Sequence, residues 1–471
     1  MRFLTTGFSQ CLALSFLALL ASCATFREAR LESPYVADVA TRFEAVHKAM
    51  KPLGGIKTDS PAVNVEGLRG KVFAGYQGWF MPKGDGSGVD WMHYGASSGG
   101  SRSQRVFEPG SAVVDYWPSM REAGPTERYP TPFVHVDGRV AEVYSALHPD
   151  TVDRHFKWMA EYDVDGAFCQ RFGTALRTPE RYSSRNIVLD NARRSARKHG
   201  RSYAVMYDLS GLRLGEIQSL VMEDWKRLRK RMRVTEEANY MTLNGKPLVS
   251  VWGVGFSDSK RQYTVEECEA LIDFLKNDPE YGGCAVMLGV PYRWREGIRD
   301  AIAPEKLHPV LEKADVISPW SVGRYRSVAQ AREQREKYYL ADFEWCESRG
   351  IEYLPVAFPG FSWGNLERSR GREAVYDLIP REEGRFLWAQ ADTIARSGIE
   401  TVYIAMFDEI DEGTCIFKVS QDPPVGESQF LHYEGLEDDH YLWLASRIRQ
   451  RLNAKNFDEL EMPSRSLVGP N

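Results

Sequence analysis

The chain has 471 residues, 43% of them hydrophobic, enough to bury a large core. Its 60 basic and 65 acidic side chains nearly balance. No block of like charge is long enough for a nucleic-acid face, and the basic stretch 226–233 falls in an amphipathic pattern that reads as a solvated helix surface. Five cysteines beyond the first two dozen residues (Cys169, Cys268, Cys284, Cys346 and Cys415) are dispersed and odd in number. That excludes a zinc knuckle and a full disulfide framework.

Arg2 opens a short positive segment, an apolar run from Leu12 to Leu20 follows, and Leu20-Ala21-Ser22-Cys23 ends it. A secretory signal ends in small residues; a cysteine directly after them resembles the lipobox of bacterial lipoproteins. The resemblance implies residues 1–23 as a signal segment and a mature chain anchored in the cell envelope by lipid on Cys23. The apolar run is shorter than the roughly 20 residues of a spanning helix. Ala24 and Thr25 lack the aspartate that retains some lipoproteins at the inner membrane, which points to the outer membrane.

Residues 24–68 read as a tether plus an opening helix with Val39, Phe43, Val46 and Met50 on one face, bracketed by Pro34 and Pro61. Residues 69–455 read as a single domain and 456–471 as a tail. Within the domain, short apolar runs bounded by turn residues predict strands at Val72–Gly75, Gly166–Cys169, Tyr203–Tyr207, Leu248–Val251, Ala285–Leu288, Val316–Ser318, Tyr353–Ala357 and Thr401–Met406. Between them lie amphipathic helices with recognisable ends. Thr264 and Glu267 form a capping box for a helix over 265–276. Gly200 closes a helix starting near Asn186, Gly398 closes one over 383–397, and a last helix covers Asp438–Leu452. Eight strands alternating with helices, and no Gly-rich strand–loop–helix fingerprint, predict an α/β fold of the closed (β/α)8 TIM-barrel type. The long stretch between strands one and two predicts an elaborated first βα loop over the barrel mouth, holding Trp91, His93, Tyr94, Asp115, Tyr116, Trp117 and Tyr129. Its Gly84-Asp85-Gly86-Ser87-Gly88 run precedes no helix and reads as neither a phosphate cradle nor a calcium loop.

Active sites of such barrels lie at the C-terminal ends of the strands. There the sequence offers Gly75-Tyr76-Gln77-Gly78-Trp79-Phe80 after strand one, Asp208 after strand three, and Trp252, Trp320 and Trp363 after strands four, six and seven. Aromatic faces stack on sugar rings, so Tyr76, Trp79, Trp252, Trp320 and Trp363 are candidate subsite residues, with Asp208 a candidate partner for a sugar hydroxyl; core packing and a turn role are the competing readings. Strand eight runs into Phe407-Asp408-Glu409-Ile410-Asp411-Glu412-Gly413-Thr414. Four carboxylates in five residues repel one another, and the nearby sequence offers only Lys418 to pair them. Crowding and burial push carboxyl pKa values apart, which glycosidic cleavage uses by keeping one acid protonated and another ionised.

This segment resembles the strand-eight signature of glycoside hydrolase family 99 and its relatives (family 71/99-like), Phe-Asn-Glu-Trp-His-Glu-Gly-Thr, with Phe407, Glu409, Glu412, Gly413 and Thr414 in place. The run from Gly75-Tyr76 to Trp79-Phe80 similarly resembles the Tyr-x-x-Trp-aromatic start of that family's first strand. Asp408, Ile410 and Asp411 stand where the family has Asn, Trp and His, so the chain looks like a divergent branch. The resemblance implies a retaining enzyme for α-mannoside-like glycans. Glu409 would deprotonate the substrate's own 2-hydroxyl to give a 1,2-anhydro sugar, and Glu412 would protonate the leaving oxygen and later activate water. A carboxylate nucleophile about 5–5.5 Å from the acid is the other retaining route, equally compatible with the sequence. Asp408 and Asp411 then become expected substrate contacts. Two other classes stay open: a glycan-binding surface protein without catalysis, and a metal-assisted hydrolase using Asp408 and Asp411 as ligands. His93 and His148 lack metal-ligand spacing, no cofactor motif or Gly-x-Ser-x-Gly elbow occurs, and the expected partner is an oligosaccharide or polysaccharide met by a monomer.

Overall fold

The computed structural model describes Lys48 and residues 50–98, 101–454 and 461–465. Cys23 and the signal segment, most of the expected opening helix and much of the tail lie outside the described residues. Nine short parallel strands form the centre: β1 Val72–Tyr76, β2 Gly166–Phe172, β3 Ser202–Asp208, β4 Lys246–Trp252 and β5 Ala285–Pro291. They continue with β6 Val316–Trp320, β7 Glu352–Tyr353, β8 Val356–Ala357 and β9 Val402–Ile404. The sheet order is β7-β6-β5-β4-β3-β2-β1-β9-β8. These strands are apolar throughout because helices cover the outside while side chains fill the inside.

The expected seventh strand is broken, and the break closes the barrel. Leu354 N–H donates to Ile317 O (2.9 Å), while Pro355 O accepts from Tyr403 N–H (3.0 Å). Pro355 has no N–H to give β6, so the chain changes partner there, and β7 and β8 together occupy the seventh of eight positions. The result is a (β/α)8 barrel. Inside it, a Cβ on Gly75 would lie 2.1 Å from both the Tyr403 hydroxyl and the Met406 methyl. Glycine at the end of β1 is what lets those two side chains fill the barrel below the site.

Helix boundaries differ from expectation for local reasons. Helix α1 spans Pro149–Glu161. Helix α2 spans Pro179–Lys198, starting well before Asn186, because Pro179 at its first turn sets a helical φ even though the first two turns are mostly polar. Helix α3, Val265–Asn277, carries the expected Thr264–Glu267 capping box. Helix α4 is Arg385–Arg396; it cannot begin at Glu383, which has φ 56°. Helix α5, His440–Leu452, is the last element against the barrel. The β1–β2 insertion folds as two antiparallel hairpins, Ala96–Ser98 with Ser101–Val106 and Tyr129–Val134 with Val140–Val143. All five described cysteines are buried free thiols.

Candidate active site

β9 stops at Ile404, and after a cis peptide between Ala405 and Met406 the chain makes the acidic turn. The turn is fixed from several directions. Phe407 N–H donates to Gly75 O (2.7 Å), Thr414 N–H to Glu409 O (3.1 Å), and Ser362 N–H to Glu412 O (2.9 Å). Arg381 supplies the strongest clamp. Its Nη2 donates to the carbonyls of Gly413 and Cys415, both at 2.8 Å. The guanidinium is buried among Tyr116, Tyr433 and Tyr441, with ring centroids 4.7, 5.0 and 4.5 Å away. Three ring faces stand where a counter-ion would, which leaves its N–H groups for the backbone.

Within this frame the carboxylates have different surroundings. Glu409 accepts at both oxygens, from Gln77 Nε2 (3.1 Å) and from Thr414 Oγ1 (2.8 Å). Burial, then the charges of Glu412 and Asp411, push its carboxyl well above the usual range. Glu412 receives no side-chain hydrogen bond among the described residues; burial and the Asp411 charge push it up to about 7. Asp411 Oδ2 shares a hydrogen bond with His93 Nδ1 (2.8 Å), and its Oδ1 is buried with no partner among the described residues. Burial raises it to about 7.

Asp408 is not a cleft residue. Its two oxygens accept from the N–H groups of Gln77 and Gly78, both at 2.8 Å, and so tie the loop after β1 to the acidic turn. Asp408, expected to contact substrate, is placed with each oxygen bonded to backbone and only 1% exposed. Lys418 pairs with Glu122 instead of the acids.

The expected aromatic subsites separate into two groups. Tyr76 is packed under the site against Phe156 and Phe407, with its hydroxyl 3.0 Å from His155 Nδ1, so it is a core residue. Trp79 is covered by the His93 ring, stacked at 3.8 Å with 2° between planes, and by Phe172 at 5.3 Å. Trp79 is 9% exposed between them. Trp252 and Trp320 meet edge to face at 5.4 Å and remain part-exposed at the ends of β4 and β6. Trp363 touches Phe361 and is part-exposed. Strand register sets Phe172, Asp208 and Trp252 side by side along the rim. Asp208 accepts from Ser210 N–H (2.7 Å), and burial raises it to about 6.

The arrangement therefore offers two crowded glutamates on one turn. No protein-family profile matches the sequence, and neither does any curated protein. The fold is similar to a solved one. That structure is the family 99 endo-α-mannosidase of the glycoside hydrolases from Bacteroides thetaiotaomicron, at TM-score 0.56 and 16% identity, covering 82% of this chain and 98% of that one. The enzyme from the same organism in complex with bis-tris-propane matches at TM-score 0.53, with the same identity and coverage. What the chains share at this identity is the fold.

Several residues at the site carried no functional reading in the sequence. Gln77 and Thr414 lie inside the motifs and were legible only as neighbours of Tyr76 and Glu412. His93 and Asp115 come from the insertion. Asp115 accepts from Gly364 N–H (2.6 Å) and Asn365 N–H (2.8 Å), and so holds the loop after β8. Arg381 and Arg185 had no local signal.

Proposed function

We propose that this chain is a retaining glycoside hydrolase for α-linked, mannoside-like glycans, working outside the cytoplasm as a monomer on a lipid anchor at Cys23. The observation that carries the reading is the asymmetry of the two glutamates. Glu409 is oriented at both oxygens by Gln77 and Thr414, while Glu412, three residues on, receives no side-chain hydrogen bond among the described residues. Burial and neighbouring charge raise both carboxyls, so the pair holds a proton near neutral pH, and the donors aimed at Glu409 favour Glu412 as its carrier. The shared fold with an endo-α-mannosidase and the motif around both glutamates support the same assignment.

Glu409 takes the proton of the substrate 2-hydroxyl, and O2 forms a bond to C1 as the C1–O bond to the leaving group breaks. Glu412 gives its proton to the leaving oxygen. Glu412 then removes a proton from water as its oxygen opens the 1,2-anhydro sugar at C1, and Glu409 returns the proton to O2. Net retention follows from two inversions. Among the described residues no helix is long and apolar enough to cross a membrane.

The test is cleavage of α-mannosides and α-glucans by the chain beginning at residue 24, read by mass spectrometry, beside Glu409→Gln and Glu412→Gln. Each variant is expected to lose about 10²–10⁴-fold in rate while keeping its melting transition. Activity surviving both substitutions refutes the site. Binding without cleavage by the unmodified chain makes it a glycan-binding protein.

A further inference from the structure

A cleft of about 1210 Å³ opens on the β1–β4 side of the barrel mouth. It adjoins the acidic turn: Met92 in its wall precedes His93, and Phe172 packs on Trp79. This volume exceeds the roughly 300–1,000 Å³ of pockets that enclose a small ligand, and fits a length of oligosaccharide.

The cations at this cleft are unusual in lacking partners. Arg105 and Arg181 line it, both part-buried, and neither makes an ion pair among the described residues. Arg105 has one long hydrogen bond, to Gly95 O (3.4 Å). Arg185, one helical turn after Arg181 on α2, is 3% exposed. It donates to Gln77 O (3.0 Å), its Nε is buried without a partner, and among the described residues no carboxylate lies in ion-pair contact with it. Lys260, also in the wall, makes no ion pair among the described residues, whereas Arg177 and Arg261 pair with Glu216 and Asp258.

These arginines repel one another. Burial depresses Arg105 and Arg185 most, with the Arg181 charge adding to both and that of Arg171 to Arg185. Burial and then the charges of Arg105, Arg185 and Arg181 depress His93. Gathering like charges in a part-dry cleft destabilises the free protein unless something offsets it. The carboxylates of the turn do so only at a distance: Asp411 acts on Arg105 and Asp408 on Arg185 without an ion pair to either. A planar guanidinium with free donors matches a carboxylate or a sulfate ester bidentately. Asp90 and Glu180 in the same wall are acidic and set where along the cleft that anion can sit.

We propose that the substrate is an acidic glycan whose anionic substituent, a carboxylate or a sulfate ester, is bound by Arg105 and Arg181 with Arg185 behind them. This rests on the glycosidase reading and names its substrate class.

The test titrates the full chain in mild detergent, carrying Glu412→Gln to stop turnover, with three probes of equal length. These are α-mannotetraose, O-sulfated α-mannotetraose and a glucuronate-bearing tetrasaccharide. One anionic probe is expected to bind at least about tenfold tighter than the neutral one, with affinity falling as salt rises. The preference collapses in Arg105→Gln and Arg181→Gln and persists in Arg181→Lys. Which anionic probe binds tells sulfate from carboxylate. Equal binding of all three probes overturns the proposal, and so does a preference that neither Gln variant moves. A parallel digest with Glu412 intact separates the two readings. If the neutral probe is cut and the anionic ones bind no better, this proposal falls alone. If an anionic probe binds through the arginines and nothing is cut, the glycosidase reading falls alone.

Discussion

His93 Nδ1 lies 2.8 Å from Asp411 Oδ2, with the imidazole lying flat on the Trp79 indole. The two residues are 318 positions apart, and reaching across takes unusual backbone: Trp91 and His93 both have positive φ, 54° and 61°. Non-glycine residues seldom adopt that region. Burial, with the charges of Arg105, Arg185 and Arg181, holds the His93 imidazole well below its usual range. The imidazole therefore stays neutral, and the charge that Asp411 carries once ionised is not cancelled by it. That charge is felt by Glu409 and Glu412.

Asp411→Asn keeps the shape of the side chain and removes the charge. A neighbouring negative charge raises a carboxyl pKa, so its removal lowers that of Glu412. The alkaline limb of the kcat/KM profile, where Glu412 gives up its proton, is expected to move to lower pH by about one unit. An unmoved limb in a pH–rate series on the cleaved glycan would mean that Asp411 carries no charge in the working enzyme.

The same burial makes stability depend on pH in an uncommon direction. Burial raises Asp85, Asp115 and Asp208 to about 6, and Asp342, Asp408, Asp411 and Glu412 to about 7. Between about pH 4 and those values the folded chain binds more protons than the unfolded chain, so stability falls as pH rises. Carboxyls held low by ion pairs, such as Glu127 with Arg154 and Asp439 with Arg465, act the other way at lower pH. The buried imidazoles of His93, His155, His148 and His440, held below their usual range, oppose the trend only up to about pH 6.5 and are fewer than the raised carboxyls. The melting temperature is expected to be higher at pH 5 than at pH 7.5, and Asp408→Asn to narrow that gap. Scanning calorimetry across this range decides it; a gap of unchanged size would show that Asp408 is ionised throughout.

Most of the frame could be read from sequence because buried parallel strands are short apolar runs, and all eight positions stand out as such. The change of partner at Leu354-Pro355 did not, since a proline within an apolar run looks the same whether the strand continues or breaks. The glutamates were legible because four acids in five residues have no cheap structural explanation. Their partners were not. Gln77 reaches Glu409 across 332 positions, and Asp115 reaches Asn365 across 250. Nothing local marks such pairs. Trp79 and Tyr76 were read as sugar contacts because an aromatic at a strand end has two uses, and only the fold shows His93 already lying on one and His155 bonded to the other.

Arg381 is the clamp most remote from the chemistry. Arg381→Met fills much of the volume among the three tyrosine rings but leaves the carbonyls of Gly413 and Cys415 without a donor. Each buried unpaired acceptor costs about 1–3 kcal/mol, so with two of them a loss of roughly 2–6 kcal/mol is expected in urea unfolding. Activity should fall further than Tm alone accounts for, because the turn carrying both glutamates loses its tether. A variant as stable as the wild type would show that the backbone bonds from Phe407, Thr414 and Ser362 suffice.

Gly413 separates the two effects that Arg381→Met combines. Its φ is +63°, and a Cβ there would lie 2.8 Å from Ser362 N and 3.0 Å from Ser362 O, both backbone atoms that cannot swing aside. Those atoms belong to the segment whose N–H holds Glu412 O, so Gly413→Ala must push the turn away from the loop after β8. The left-handed conformation adds about 1–3 kcal/mol of its own. The strain falls directly beside Glu412 and leaves the barrel strands and the Arg381 cage in place. Gly413→Ala is therefore expected to retain a cooperative melt, lowered by several degrees. Cleavage should drop by about 10²-fold, as a displacement near 1 Å in a catalytic group can cost. Measuring kcat and KM separately checks the assignment. Loss confined to kcat places the displaced group in the reaction, whereas loss confined to KM would put the turn's role in binding the glycan.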